Sequence, residues 1–589
     1  MNCQDANVPP DKSIAANSRR APTKDKNSMK TMRITVLLLT LIPIAIAAAE
    51  PRRGQGDRLP NILFIVSDDH GWGDLPSNWD KTEVRLPTLD ALAAQGVRFS
   101  KYHTVPLCGP SRACMFTGQY STENGMWRGP GQQPLGSPGY RGIKRDVKML
   151  SERLSEAGYK TGAFGKWHLG ALDGEVPNDR GFDEFRGFLA GAHSYWITEK
   201  RSRIMHNREP DRTSQGHATE LFTGWAEKFI RENTAKDAPF FCYLSYNAVH
   251  GPLRTDKSKP ASAPEAWVKK ATDRGVSFLR SDYVAILEHM DHNIGKLVNV
   301  LDELGIADNT LIVFVSDNGG CTMEEGAAGG RYPGNNGPFS GGKATTYQGG
   351  LNVPLLMNWK GRLPQGLVSE DEVMHCDIFA TLLDASGIPV PKMNGKNPVR
   401  GMSLMPHMLS GGKKNIPERT MIFELWGNIG VRKGDYKLWS QIGRNSPDWD
   451  VQIAELKKTD LALFDLSNDV AEKNDLRTKL PDVYDSLKKE LIDHLANINT
   501  EYPGGGSPKG LQKEKSKPQT TTPSPAPKRR SQDQFFKNRD RNEDGVITLE
   551  EYIGNPKGRN VPALSRRFKK IDSNGDGELL LQELKAEGK

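Results

Sequence analysis

Apolar residues along this chain form two kinds of pattern: short unbroken runs and stripes at helical spacing. "NILFIVSDD" is an apolar run that ends in Asp68 and Asp69, and a run of that kind suits a strand inside a parallel sheet. Pro87 and Gly96 bracket a short predicted helix, "TLDALAAQ", and "VRFSKYHTV" returns as strand. Val147, Leu150, Leu154 and Ala157 repeat at helical spacing and stop at Gly158, before the strand "YKTGAFG". "ELFTGWAEKFI" reads as helix and "PFFCYLSYNAV" as strand. Tyr283, Leu287, Met290, Ile294, Leu297, Leu301 and Leu304 then mark one face of a long amphipathic helix. "TLIVFVSDNGG" is a second buried run ending in acid. Strands alternating with helices predict an α/β domain, in which ligands collect beyond the carboxyl ends of the strands. Asp68, Asp69, Asp317 and Asn318 all fall at such ends.

Beyond about Gly366 the rhythm changes. "TMIFELW", "VRKGDYKLW" and "LALFDL" predict short strands of an antiparallel sheet, followed by a helix bearing Val483, Leu487, Leu491, Leu495 and Ile498. The stretch from Tyr502 to Arg530, rich in Pro, Gly, Ser, Thr and Lys, can bury almost nothing and reads as a linker. After it comes a repeat, "DRNEDGVITLEE" and "DSNGDGELLLQE". Each copy has oxygen ligands at loop positions one, three and five, Gly at six, a hydrophobe at eight (Ile547, Leu579) and Glu at twelve. This is the EF-hand spacing, where Gly permits the sharp turn and the last Glu can give two oxygens to a hard cation. The predicted Ca²⁺ ligands are Asp540, Asn542, Asp544, Val546 and Glu551 in the first loop, and Asp572, Asn574, Asp576, Glu578 and Glu583 in the second. Helical lead-ins and Glu at position twelve favour EF-hands over dockerin-type loops, and a merely solvated acidic tail would not keep the spacing twice.

Composition narrows the class. Of 589 residues, 36% are hydrophobic and 26% charged, with 59 glycines, which is the balance of a globular chain of several domains. Near the N-terminus Lys30 and Arg33 precede "ITVLLLTLIPIAIAAA", which ends in Ala47, Ala48 and Ala49. That order fits a secretory signal better than a span, which needs about 20 apolar residues. The mature chain is expected to begin near Glu50, with Met29 or Met32 as the working start, and the protein to be secreted or periplasmic. Residues 1–49 carry seven basic and three acidic side chains, so their removal takes the net charge from +8 to +4, too weak a bias for nucleic acid. No stable membrane span is expected after cleavage. Of six cysteines, Cys3 leaves with that segment. Cys114, Cys242, Cys321 and Cys376 could pair or stay as buried thiols, and the size of the chain favours thiols.

The densest chemistry lies in "LCGPSRACMFTG", Leu107 to Gly118. Cys-x-Pro-Ser-Arg followed by Thr-Gly resembles the signature of the type I sulfatases, in which the cysteine is oxidised to formylglycine. "NILFIVSDDHGWGD", "GYKTGAFGKWHLG", "RGFDEFRGF", "PFFCYLSYNAVHGPL", "IVFVSDNGG", "GGKATTYQGGLNVPLL", "DIFATLLDASGI" and "LFDLSNDVAEKNDL" follow the family's order, across roughly residues 58 to 500. The resemblance implies an alkaline-phosphatase-like α/β fold: a mixed, mostly parallel sheet with helices on both faces, and a smaller C-terminal antiparallel sheet. With the repeat added, the expected organisation is a signal segment (1–49), a catalytic domain (58–365), a C-terminal subdomain (366–501), a linker (502–532) and an α-helical EF-hand pair (533–589).

The resemblance also implies roles. A formylglycine hydrate offers two hydroxyls on one carbon; one takes the sulfuryl group and deprotonation of the other re-forms the aldehyde and expels sulfate, whereas serine would keep a stable ester. Asp68, Asp69, Asp317 and Asn318 would bind one divalent cation, completed by an oxygen of the modified Cys108, and oxygen donors favour Ca²⁺. Arg112 would support the formylglycine, Lys166 and His168 flank it with His168 as the base for release, and His250 and Lys343 face the substrate oxygens. Partners implied are a sulfated small molecule or polysaccharide and a formylglycine-generating maturation enzyme. Gln348 and Asn352 depart from the family's Glu-Gly-Gly-x-Arg-Val-Pro, which predicts a local change in packing or pocket rather than lost activity. Two alternatives stand: a phosphomonoester or phosphonate-ester hydrolase on the same fold, and a non-catalytic calcium-dependent binding protein.

Overall fold

The computed structural model describes residues 58–126, 142–199, 202–251, 253, 260–322, 333–392, 398–425, 428–441 and 449–497, with 547–548, 568 and 578–579 near the C-terminus. The chain divides into two units, residues 1–508 and 509–589. The signal segment, the linker and nine of the ten EF-hand positions (Asp540, Asn542, Asp544, Val546, Glu551, Asp572, Asn574, Asp576 and Glu583) lie outside the described residues. In the second unit Ile547–Thr548 pairs antiparallel with Glu578–Leu579, which sets Ile547 opposite Leu579.

The first unit is built on a ten-stranded sheet. Across it the strands run Leu367–Ser369, Val97–Phe99, Leu355–Asn358, Thr310–Ser316, Asn61–Ser67, Phe240–Ser245, Lys160–Lys166, Glu184–Phe188, Met205–His206 and Glu209–Pro210. The five from Thr310–Ser316 to Glu184–Phe188 are parallel. Thr310–Ser316, Asn61–Ser67 and Phe240–Ser245 are buried along their whole length, because helices cover both faces. Leu63, Ile65, Ile312 and Phe314 pack toward the helices Ala218–Thr234 and Phe278–Glu303, while Ile62, Phe64, Val313 and Val315 pack toward Cys108–Thr117 and Cys376–Ala385. That alternation is the two-residue period of a strand read out on two cores. Each such side chain contributes about 1.5–3 kcal/mol of burial.

Three predicted elements differ in form. "VRFSKYHTV" is two strands: Val97–Phe99 joins the large sheet, and Tyr102–His103 pairs with Val373–Met374 elsewhere. "VRKGDYKLW" is also two, turning at Gly434, whose φ of 55° is the left-handed region a tight hairpin needs. The long helix Phe278–Glu303 is buried on every side from Ser281 to Asp291, not on one face. Its polar side chains explain why: Asp291 accepts from the backbone of Thr88 and Leu89 at the start of the helix Pro87–Ala94, and Asp282 from that of Ser262 and Ala263, so a helix end and a loop pack onto the "polar" face.

Residues just after Gly366 still serve the large sheet, through Leu367–Ser369. The four-stranded antiparallel sheet starts at Met421 and runs Met421–Leu425, Asn428–Lys433, Tyr436–Gln441, Ala462–Asp465. The helix Pro481–Ala496 covers it with Leu487, Leu491 and Leu495; Ile498 lies outside the described residues.

Candidate functional site

Strand register brings the site together. Ser67 pairs with Ser316 across adjacent parallel strands, so Asp68 and Asp317, the next residues, emerge side by side. Ser245 is opposite Gly165 on the neighbouring pair, which delivers Lys166 to the same edge. Asp69 takes a φ of 61°, and its amide donates to Asp317 Oδ1 at 3.2 Å.

Above this edge sits the helix Cys108–Thr117, buried throughout. Gly109-Pro110-Ser111-Arg112 belong to the first turn of that helix. Proline is tolerated there because the first amides of a helix have no intrahelical partner. Cys108 therefore stands at the first helical position, with Sγ 3.4 Å from Asp68 Oδ1 and 4.0 Å from Asp69 Oδ1. Cys114 is a core residue of the same helix. Among the described residues every cysteine is a free thiol, and Cys321 is the only one not fully buried.

Cations surround the acids. Lys166 Nζ lies 2.6 Å from Asp68 Oδ2, Lys343 Nζ 2.6 Å from Asp69 Oδ1, and Arg112 Nε donates to Asp317 Oδ2 at 2.9 Å. Asn318 Nδ2 donates to Asp69 Oδ1 at 2.8 Å, and its side-chain oxygen Oδ1 is buried with no hydrogen-bond partner among the described residues. His250 Nε2 is 3.8 Å from Asp69 Oδ2. His168, with a φ of 59°, keeps a buried Nδ1 that has no partner among the described residues. The ten residues predicted for this site thus occupy one neighbourhood. Gln348 and Asn352 instead serve the scaffold: the Gln348 amide donates to Glu472 and the Asn352 side chain to the Ser100 carbonyl.

Burial and charge set the protonation states. Burial, then Asp317, pushes the Asp68 carboxyl up to about 7, despite Lys166 beside it. Burial opposes ionisation of Asp69 as well, but Lys343 and His250 outweigh it and hold that carboxyl well below its usual range. Asp317 is likewise lowered, with Arg112 overcoming burial. Burial pushes the Cys108 thiol up to about 12, so at neutral pH it is not a thiolate and is a poor nucleophile as it stands. Burial, with Lys166 and Arg112, keeps His168 neutral. Burial and Lys343 lower His250 to about 4, whereas Lys343 is raised well above its ordinary value because Asp69 outweighs burial.

Three carboxylates, an orphaned amide oxygen and a residue with a replaceable sulfur fit a hard divalent cation by donor chemistry. Such an ion must displace the Asp68 proton. Its affinity is therefore expected to rise by up to about tenfold per pH unit below about 7 and to level off above, as calorimetric Ca²⁺ titrations across that range would record.

Some supporting residues carried no signal in the motifs. Arg112 also donates to the Tyr243 hydroxyl at 3.0 Å and to Ser245 Oγ. These two polar side chains sit two apart in an otherwise apolar strand, the one clue that they share a face. The Tyr195 hydroxyl shares its one hydrogen between the carbonyls of Asn247 and His250, 2.9 and 3.0 Å away, bracing the segment that carries His250. Cys321 Sγ lies 3.8 Å from Asp69 Oδ2.

Comparison with known proteins assigns the chain to a family. Residues 60–388 match the Sulfatase family. The chain is 31% identical over 430 residues to the N-acetylgalactosamine-6-sulfatase of Mus musculus, covering 69% of this chain and 76% of that one. It is 30% identical over 504 residues to arylsulfatase G of Canis lupus familiaris, covering 76% and 87%. Among solved structures it is similar to Ps i-CgsB, with a TM-score of 0.63, 28% identity and coverage of 74% of this chain and 93% of that one.

Proposed function

The chain belongs to the sulfatase family and is a sulfuric ester hydrolase, and from that premise we propose that it cleaves sulfate monoesters of a carbohydrate through Cys108 matured to formylglycine. The observation that carries this reading is the position of Cys108 Sγ, 3.4 Å from Asp68 at the first turn of a buried helix, as a thiol too weakly acidic to react unmodified. Hydrated formylglycine would supply both the attacking hydroxyl and the hydroxyl whose deprotonation frees sulfate. Asp68, Asp69, Asp317 and Asn318 would hold Ca²⁺, which would lower the cost of the negative charge on the sulfuryl oxygens.

The chain's own side chains divide the remaining work. Arg112, fixed by Asp317, Tyr243 and Ser245, braces the helix end that carries Cys108. Lys166 and Lys343 keep positive charge facing the transferring group. His168, neutral and with a free ring nitrogen, suits the base for release. For protonating the leaving oxygen, Lys343 is the stronger candidate. His250 Nδ1 is 2.6 Å from the Gly251 carbonyl and so carries the ring hydrogen, which leaves Nε2 without a proton in the neutral state.

A carbohydrate substrate is supported by the relative named for N-acetylgalactosamine 6-sulfate and by Ps i-CgsB, crystallised with a neocarrahexaose. Parallel assays on matched sulfate, phosphate and phosphonate esters test the reading. Sulfate esters are expected to be preferred; faster turnover of phosphate or phosphonate esters would replace it with the alternative hydrolase. Unmodified cysteine at 108 in protein co-produced with a competent maturation enzyme would favour the non-catalytic reading.

No helix among the described residues is long and apolar enough to cross a membrane. Secretion or export to the periplasm fits the N-terminal segment. For residues 533–589 we propose an EF-hand pair with two Ca²⁺ ions. The pairing of Ile547 with Leu579, each at loop position eight, supports it. Its role lies in stability or surface attachment, so truncation after Glu501 is expected to leave kcat on a small aryl sulfate within about twofold, as for a change remote from the reacting groups; a steady-state assay reads this directly.

A further inference from the structure

A second cluster of metal-binding side chains lies outside the site just described. Cys114, on the Cys108 helix, meets His375 and Cys376 at the start of the helix Cys376–Ala385, and two sulfurs and a ring nitrogen fall within 4.8 Å of one another. All three residues are fully buried. His375 Nδ1 is 3.1 Å from the His103 carbonyl oxygen. A carbonyl only accepts, so Nδ1 carries the hydrogen and Nε2 keeps its lone pair. Among the described residues that Nε2 has no hydrogen-bond partner and neither has the buried hydroxyl of nearby Tyr102, while the Cys376 thiol is in contact with both the His375 ring and Cys114. The surroundings are apolar, with Val105, Leu351, Met374 and Phe423 in the same core. Unpartnered polar atoms in such a place lose their hydration with nothing in return.

We propose that Cys114, His375 and Cys376 bind one zinc ion as a closed structural site. Soft sulfur and imidazole donors select a thiophilic metal over the hard cation suited to the carboxylate cluster. Two Zn–S bonds form as two S–H bonds lose their protons to solvent, and the two thiolates balance the dication. The complex therefore enters the core with no net charge, which copper(I) in the same ligands would not achieve. The Nδ1–H bond to a backbone carbonyl is the contact that orients a ligating imidazole. The unpartnered Tyr102 hydroxyl is available for the fourth position. Six residues of helix separate Cys114 from Cys108, about 9 Å along the axis. The metal would thus clamp the helix that presents Cys108 to the helix Cys376–Ala385.

The test uses full-length protein produced with zinc and dialysed into calcium buffer under reducing conditions. Elemental analysis is expected to find about one zinc per chain, the stoichiometry of a single closed site. Cys114→Ser and Cys376→Ser should lose it, and Cys108→Ala should keep it. Should the serine variants not fold, cobalt(II) loading of the unaltered protein decides: an intense thiolate-to-cobalt absorption band is expected. Absence of retained zinc, zinc that persists in both serine variants, a cobalt spectrum without the thiolate band, or a Cys114–Cys376 disulfide in peptide maps would each overturn the proposal.

Discussion

Cys108→Ala is expected to lower kcat on any sulfate ester by at least about 10⁴-fold, the scale on which losing a covalent nucleophile acts, with the fold intact. The side chain is buried at the mouth of the acid cluster, and alanine fits the same helical position without a new polar group. Cys108→Ser separates attack from release. Its hydroxyl can accept one sulfuryl group but lacks the second hydroxyl that lets it go. A stoichiometric burst of product followed by no further turnover is expected, with the sulfated peptide visible by mass spectrometry. Sustained turnover by the alanine variant, measured by stopped assay after purification, is the result that defeats the formylglycine reading.

Stripping the divalent cation should come next in size. Asp68, Asp69 and Asp317 crowd one small volume balanced by Lys166, Lys343 and Arg112, and in the proposed reaction Lys166 and Lys343 must also meet the substrate anion. Without an added dication Lys166 and Lys343 stay bound to carboxylates, and the sulfuryl oxygens find less positive charge. Exhaustive chelation is expected to cut kcat/KM by at least about 10²-fold, with recovery on adding back Ca²⁺ but not monovalent salt, since removing one strong electrostatic contact to a transition state typically costs that much. Unchanged kinetics in chelated protein shown metal-free by elemental analysis would remove the cation from the proposed chemistry.

Much of the architecture could be read in one dimension because its cause is local. A run such as Asn61–Ser67 is apolar on both faces only if both faces are covered, and this alone predicts a central strand. Acids following two such runs mark the ligand edge of an α/β sheet, and the Cys108 segment stands out through its resemblance to a family signature. Reading failed where a neighbour distant in sequence decides the outcome. The hairpin at Gly434 depends on the partner strands flanking it, and the break at Ser100-Lys101 on two different sheets claiming the two halves of one run. The polar positions of Phe278–Glu303 looked solvated because hydropathy cannot tell a carboxylate in water from one accepting backbone amides of a neighbouring helix end or loop.

What the residues determined by themselves, then, was which segments become central strands, which strand ends carry acids and where the repeat begins; each follows from periodicity, residue type and spacing within one stretch of chain, whereas the oxidation of Cys108 was an expectation drawn from a family resemblance. What only the tertiary structure decided was convergence. Arg112 reaches Tyr243 and Ser245, and Cys114 reaches His375 and Cys376, across more than a hundred residues of intervening chain. Strand order and register set those meetings, and both are fixed by the packing of the whole sheet between its two layers of helices.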